Sequence, residues 1–375
     1  MNVERLPALP SGRGPLSDAV IESLRRDVDL IGVPMRDVVD AFDDDTQLAL
    51  ACCYELHYRS FAGVDDRREW DPGLLAFRRT LEDAFVARIV DEIGAPPALS
   101  PGAVLPALRA IASERSGPSL SGFMAHSGTR EQMREFCVHR SAYQRKEADP
   151  HTWLIPRLHG RAKAATVAIQ HDEYGEGRAS AIHAELFATT MRELDLDPAY
   201  GAYLDVVPAT TLATGNLVSL FGLHRRWRAA CVGHLALFEM TSVGPMGRYA
   251  QALERIGVDA AGRRFYDVHV TADAIHERVA QDELVTGMLE AEPWSGGTIL
   301  FGARALAEIE RRFTAHLLDA WTRGHTSLRA PTISGAGDTG AGDTGAGDSG
   351  AAEVIRDPTP SLNALVRVTP PANVG

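Results

Sequence analysis

The residues of this chain best suited to chemistry are carboxylates and imidazoles. The densest group is His269-Val-Thr-Ala-Asp273-Ala-Ile-His276. On a helix, positions i, i+4 and i+7 share one face, so both imidazoles and the carboxylate point the same way. Two histidines and a carboxylate form a mixed nitrogen and oxygen set suited to iron. The plain alternative is a polar helix face with two solvated histidines. At about 1.5 Å rise per residue, His269 and His276 stand roughly 10 Å apart along a regular helix. They therefore serve different metals, or the helix bends or unwinds between them, a state that metal binding would order.

Two further stretches add ligand types. The segment from His171 to Phe187 holds Glu173, Glu176 and His183, which a continuous helix would set on roughly one face, although Gly175 and Gly177 weaken it. Solvated turn residues and a core histidine are the ordinary readings of these three. Glu239 follows Leu235, Leu237 and Phe238, so it faces an apolar interior and needs a cation, a hydrogen-bond network or a metal. An exposed helix glutamate is its ordinary reading.

These side chains call for helices, and the sequence supplies them. Residues 1 to about 330 show apolar spacing of helical period and little strand-like alternation, so the expected fold is all-α. Asp71-Pro72 opens a helix that Gly94 closes, with Leu74, Leu81, Phe85, Ile89 and Ile93 as its apolar stripe. Thr46 to Phe61 and Gly302 to Arg323 read as two more. Pro96 to Pro118 is a boundary or a long connection. The expected division is an accessory helical extension over 1–115, a catalytic bundle over 116–330 and a tail over 331–375. That tail repeats Gly-Ala-Gly-Asp-Thr/Ser between Gly335 and Ser349, the composition of a flexible linker.

Composition narrows the partners. The chain has 50 acidic against 38 basic residues, which argues against nucleic acid or an anionic membrane as a partner. The four cysteines, Cys52, Cys53, Cys137 and Cys231, form no CxxC pair and read as reduced, buried thiols of a cytoplasmic protein. No secretory signal stands at the N-terminus. Val206 to Leu223 is too polar to span a bilayer and reads as a loop entering a buried helix.

The order of Glu176, His183, the lone Glu239, and then His269, Asp273 and His276 resembles the haem-oxygenase-like diiron oxidases. The phrases Glu55-Leu-His-Tyr-Arg-Ser-Phe, Lys146-Glu-Ala-Asp-Pro-His-Thr-Trp153 and Asp172-Glu-Tyr-Gly are similar to the actinobacterial iron-containing redox enzyme family, over roughly residues 40 to 325. The resemblance implies a haem-oxygenase-like bundle with ligands on three helices. It also implies two Fe(II) per chain, dioxygen as co-substrate, and Glu239 as the bridging ligand. Glu173 stands in the more typical phrase and competes with Glu176 for the first-helix position, with Glu147 ranked behind both. No catalytic group beyond the metal ligands is implied. Relatives oxidise amines, amino acids or fatty acids, so a small organic substrate and an external electron donor are expected, and a homodimer is compatible with the reading. The alternatives are a metal-free thiaminase-like hydrolase of the same fold, using Cys231, and a non-enzymatic helical scaffold. Trp153, Phe187, Phe221, Phe238 and Tyr266 are expected in the core rather than in a pocket.

Overall fold

Local capping chemistry sets where the helices begin. Asp71 accepts a hydrogen bond from the Leu74 amide at 2.8 Å, and Pro72 occupies the first helical position. The helix that follows ends at Ile93, before Gly94, as its sequence predicts. Thr129 and Gln132 cap another start reciprocally, and Asp259 accepts from the Gly262 amide at 2.9 Å to open the helix that carries His269.

The computed structural model describes residues 5–30, 40–114 and 117–330. The expected tail over 331–375 lies outside these residues. Among the described residues the fold is all-α, with no strand. The helices are α1 Pro15–Arg26, α2 Asp44–Glu55, α3 Pro72–Ile93, α4 Pro101–Ser113, α5 Leu120–His126, α6 Arg130–Gln144 and α7 Asp149–Thr152. They continue with α8 Gly160–Glu173, α9 His183–Glu193, α10 Ala209–Leu223, α11 Arg228–Arg255, α12 Ala260–Arg278, α13 Thr286–Ala291 and α14 Gly296–Thr322. A π-helical stretch, Val279–Val285, carries α12 on toward α13.

Some expected boundaries move. The helix read over Thr46 to Phe61 stops at Glu55, and the one read from Gly302 begins at Gly296. The Pro96 to Pro118 stretch contains α4, with Pro106 inside it. The helix expected after Val206 is α10, buried along most of its length. No helix among the described residues is long and apolar enough to cross a membrane.

The long helix α11 packs on α5, α10, α12 and α14. Its approach to α14 is very close. A Cβ on Gly233 would overlap the Ile299 carbonyl, and one on Gly302 would overlap that of Ala230. Glycine is required at both positions so that the two backbones can meet. One apolar cluster joins Leu48, Leu81 and Phe85 to Leu217, Leu235 and Ile299. A second joins Met133 and Phe136 to Phe187, Leu253, Phe265 and Phe313. Each fully buried Leu or Phe contributes about 1.5–3 kcal/mol, which holds the helices that carry the polar cluster described next.

Candidate metal centre

Helix α8 ends at Glu173, and the chain then reverses rather than continuing. Gly175 has φ 64° and lies against the backbone of Ala181 and Ile182, where a side chain would collide. Glu176 has φ 53° and is exposed, with its carboxylate on Arg178 at 2.5 Å. A fresh helix, α9, starts at His183. Glu173, Glu176 and His183 are therefore not on one helical face as expected. Glu173 turns inward at the end of one helix, His183 at the start of the next, and Glu176 stays outside the cluster.

The structure brings together Glu147, Glu173, His183, Glu239, His269, Asp273 and His276, each buried. They come from the turn after α6 and from α8, α9, α11 and α12, so four helices and a turn supply them rather than three helices. Two groups of possible ligand atoms emerge: Glu147, Glu173, His183 and His269 in one, and Glu173, Glu239 and His276 in the other. In the first, His183 Nδ1 lies 2.8 Å from Glu173 Oε2 and 3.1 Å from His269 Nε2, and Glu147 Oε2 is 3.7 Å from His269 Nε2. In the second, His276 Nδ1 lies 3.5 Å from Glu239 Oε2, 3.9 Å from Glu173 Oε1 and 3.7 Å from Asp273 Oδ1.

Glu173 thus offers one oxygen to each group, whereas Glu239, expected to bridge, stands in the second group. His269 and His276, on a regular helix, fall into different groups, which answers the problem of reach between them.

The outer ring nitrogens are fixed separately. His269 Nδ1 lies 2.6 Å from the Phe265 carbonyl oxygen, and His276 Nε2 lies 2.9 Å from Asp172 Oδ2. When each ring is neutral and its outer nitrogen donates, the inner nitrogen turns its lone pair toward the cluster.

The electrostatics show a site short of positive charge. Burial, together with Glu173, Asp273 and Glu239, pushes the Glu147 carboxyl well above its usual range. Burial and the nearby carboxylates also push Glu239 up to about 7. Burial opposes ionisation of Glu173, but the His183 contact and three imidazoles outweigh it and hold this carboxyl at about 2. Burial likewise opposes charge on His276, and its carboxylate partners outweigh it, raising the imidazole to about 11.

Glu147 Oε2, Glu173 Oε2, Asp273 Oδ2 and His276 Nδ1 are buried without a well-formed hydrogen bond. Orphaned buried polar atoms are costly, and here they converge. The residues present therefore fit divalent metal ions, which such a donor set holds and whose charge it balances. The cleft beside them is walled by Tyr143, Ile169, Leu235 and Phe238, with His151 and Gln170 also lining it. Of the aromatics expected in the core, Phe187, Phe221 and Tyr266 are fully buried, whereas Phe238 lines this cleft. Cys231 is also fully buried, which pushes its thiol up to about 12, so the hydrolase alternative has a poor nucleophile in it.

Glu147, ranked behind Glu173 and Glu176 on the sequence, stands in the first group, and Asp172 and His151, without a role there, lie against His276 and in the cleft. Glu147 carries a faint signal in its shared phrase with Lys146. The pairing of Asp172 with His276 across two helices leaves no pattern in the sequence.

Fold and site together define an all-α protein with a buried carboxylate–imidazole centre suited to metal. Residues 134–311, which contain every member of that cluster, match the family of iron-containing redox enzymes. A stretch of 145 residues is 23% identical to a nitrosourea synthase of Streptomyces achromogenes subsp. streptozoticus, covering 39% of this chain and 31% of that protein. The chain thus matches about a third of that relative's length. The resemblance read from the sequence to the iron-containing redox enzymes is borne out over this segment.

Proposed function

We propose that this protein is a non-haem diiron oxidase or oxygenase that uses dioxygen on a small organic substrate, an amine, amino acid or fatty acid. The observation that carries the proposal is the convergence of buried, hydrogen-bond-orphaned ligand atoms in two groups joined by Glu173. In this reading Glu147, Glu173, His183 and His269 hold one iron, and Glu173, Glu239, Asp273 and His276 hold the other. Bound ferrous iron supplies the electrons with which dioxygen is made reactive toward the substrate.

The protein's own contribution is orientation and exclusion of water. The Phe265 carbonyl and Asp172 aim two imidazoles, while Tyr143, Leu235 and Phe238 wall the cleft in which a substrate would lie. An external donor returns the electrons. In this reading residues 116–330 form the metal-binding domain, within which the whole family match falls, and 1–115 are an accessory extension that shares its core. The acidic balance of the chain suits a cytoplasmic protein that binds neither nucleic acid nor membrane.

Anaerobic titration should load one ferrous ion per ligand group, two in all. The loaded protein should then consume dioxygen. Asp273→Ala should impair both without unfolding the bundle, since it removes a ligand and little core volume. Equal iron loading and oxygen uptake by wild type and variant would sink the proposal.

A further inference from the structure

Two phrases, residues 55–61 and 146–153, stand out in the sequence, and the ligand cluster accounts for only part of one. In the structure they meet. Glu55, at the end of α2, receives a hydrogen bond from Lys146 Nζ at 2.8 Å, with the two side chains only 8% and 10% exposed. Tyr200 Oη donates to Glu55 Oε1 at 2.6 Å. The Lys146 ammonium sits 4.5 Å from the Tyr58 ring centroid, and Tyr58 Oη pairs with Ser219 Oγ at 2.9 Å. The ammonium is therefore held by two residues of the N-terminal region, Glu55 and Tyr58.

The next residue, Glu147, faces the other way. Lys146 and Glu55 line one cavity, while Glu147 lines the cleft of the metal centre. Ala148 then takes φ 74°, a conformation that a residue with a side chain adopts only under constraint. Its carbonyl accepts from Gln170 Nε2 at 2.8 Å and from the His151 amide at 3.0 Å. A strained turn of this kind persists only where both flanks are held. Gln170 and the start of α7 hold one flank, and the Glu55–Lys146 pair holds the other.

We infer that the Glu55–Lys146 ion pair fixes the Glu147 carboxylate at the first metal position, which makes Glu55 a positioning residue supplied by the N-terminal region. The inference rests on Glu147 being an iron ligand, as proposed above. Stability alone does not account for the pair, because a buried ion pair is often no better than an apolar contact of the same size. A salt bridge of fixed length and direction does supply register.

The test is anaerobic Fe(II) titration of Glu55→Gln and of the double variant Glu55→Gln/Lys146→Met. The double variant leaves no lone buried charge, so it keeps the test meaningful if the single variant folds poorly. Each should weaken one ferrous site about 10–100-fold and leave the other unchanged. In a Glu147→Ala background, Glu55→Gln should add nothing, a dependence that general loosening of the fold would not produce. Wild-type affinity in the double variant, or an equal loss with and without Glu147, would overturn the inference alone, whereas full affinity in Glu147→Ala would overturn it by removing Glu147 from the proposed ligand set. Absence of iron from the wild type would overturn the metal-centre reading, and the inference with it.

Discussion

Two buried polar clusters in this molecule use the same residue types to opposite ends. In the first, His139 Nδ1 lies 2.6 Å from Thr211 Oγ1, and its Nε2 lies 3.0 Å from Ser327 Oγ. Ser327 Oγ donates to Glu135 at 2.6 Å, and Trp321 Nε1 donates to the same carboxylate at 2.9 Å. Because Ser327 has given its proton to Glu135, His139 donates from Nε2 and accepts at Nδ1 from Thr211. Both ring nitrogens are satisfied. In the second cluster, four buried atoms of Glu147, Glu173, Asp273 and His276 are left without such a partner. A satisfied network ties helices together, whereas convergent orphans cost stability and pay for themselves only when something binds.

Substitutions at the two glutamates near the α8–α9 reversal test this contrast most severely. Glu173→Ala removes the one residue common to both ligand groups and should abolish iron loading in an anaerobic Fe(II) titration. Glu176→Ala, at an exposed carboxylate, should leave loading unchanged. Loading retained in the first variant, or lost in the second, would break the distinction drawn here.

A smaller effect is expected from Asp172→Asn. It replaces the acceptor that holds His276 Nε2, so iron affinity should fall about 10–100-fold at the His276 position and hold at the other. An equal fall at both positions would mean that Asp172 acts on the fold rather than on one ligand.

The satisfied cluster should answer to stability rather than to iron. His139→Phe removes the acceptor of Thr211 Oγ1 and one of the two partners of Ser327 Oγ, and should cost about 1–3 kcal/mol in denaturant unfolding, with iron affinity unchanged. It should also alter the response to acid. Burial lowers the folded-state pKa of His139 to about 3, against about 6.5 for the free side chain. Between these values the unfolded chain takes up the proton first, so this stability is complete above about pH 6.5 and is lost as pH falls toward 3. Wild type should therefore lose up to about 1.4 kcal/mol per pH unit more than the variant across that window. Parallel pH profiles would show that His139 is not held neutral by burial.

Much of the fold was legible from local rules. Asp71-Pro72 and Gly94 mark the ends of α3 because capping and φ restriction act within a few residues. The His269, Asp273 and His276 spacing marks one face of α12 for the same reason, and all three side chains are buried together. The choice between Glu173 and Glu176 was beyond such rules. Helical periodicity assumes a continuous helix, and the chain reverses at Gly175. Nor could spacing along one helix reveal that His269 and His276 belong to different groups, that Glu173 reaches both, or that Lys146 and Glu147 line different cavities. The sequence by itself determined the helical class, most of the ligand types and the face of α12 that carries three of them. Tertiary structure alone decided which carboxylates meet those imidazoles, because distances between α8, α9, α11 and α12 follow from side-chain packing over the whole bundle, a sum no local pattern contains.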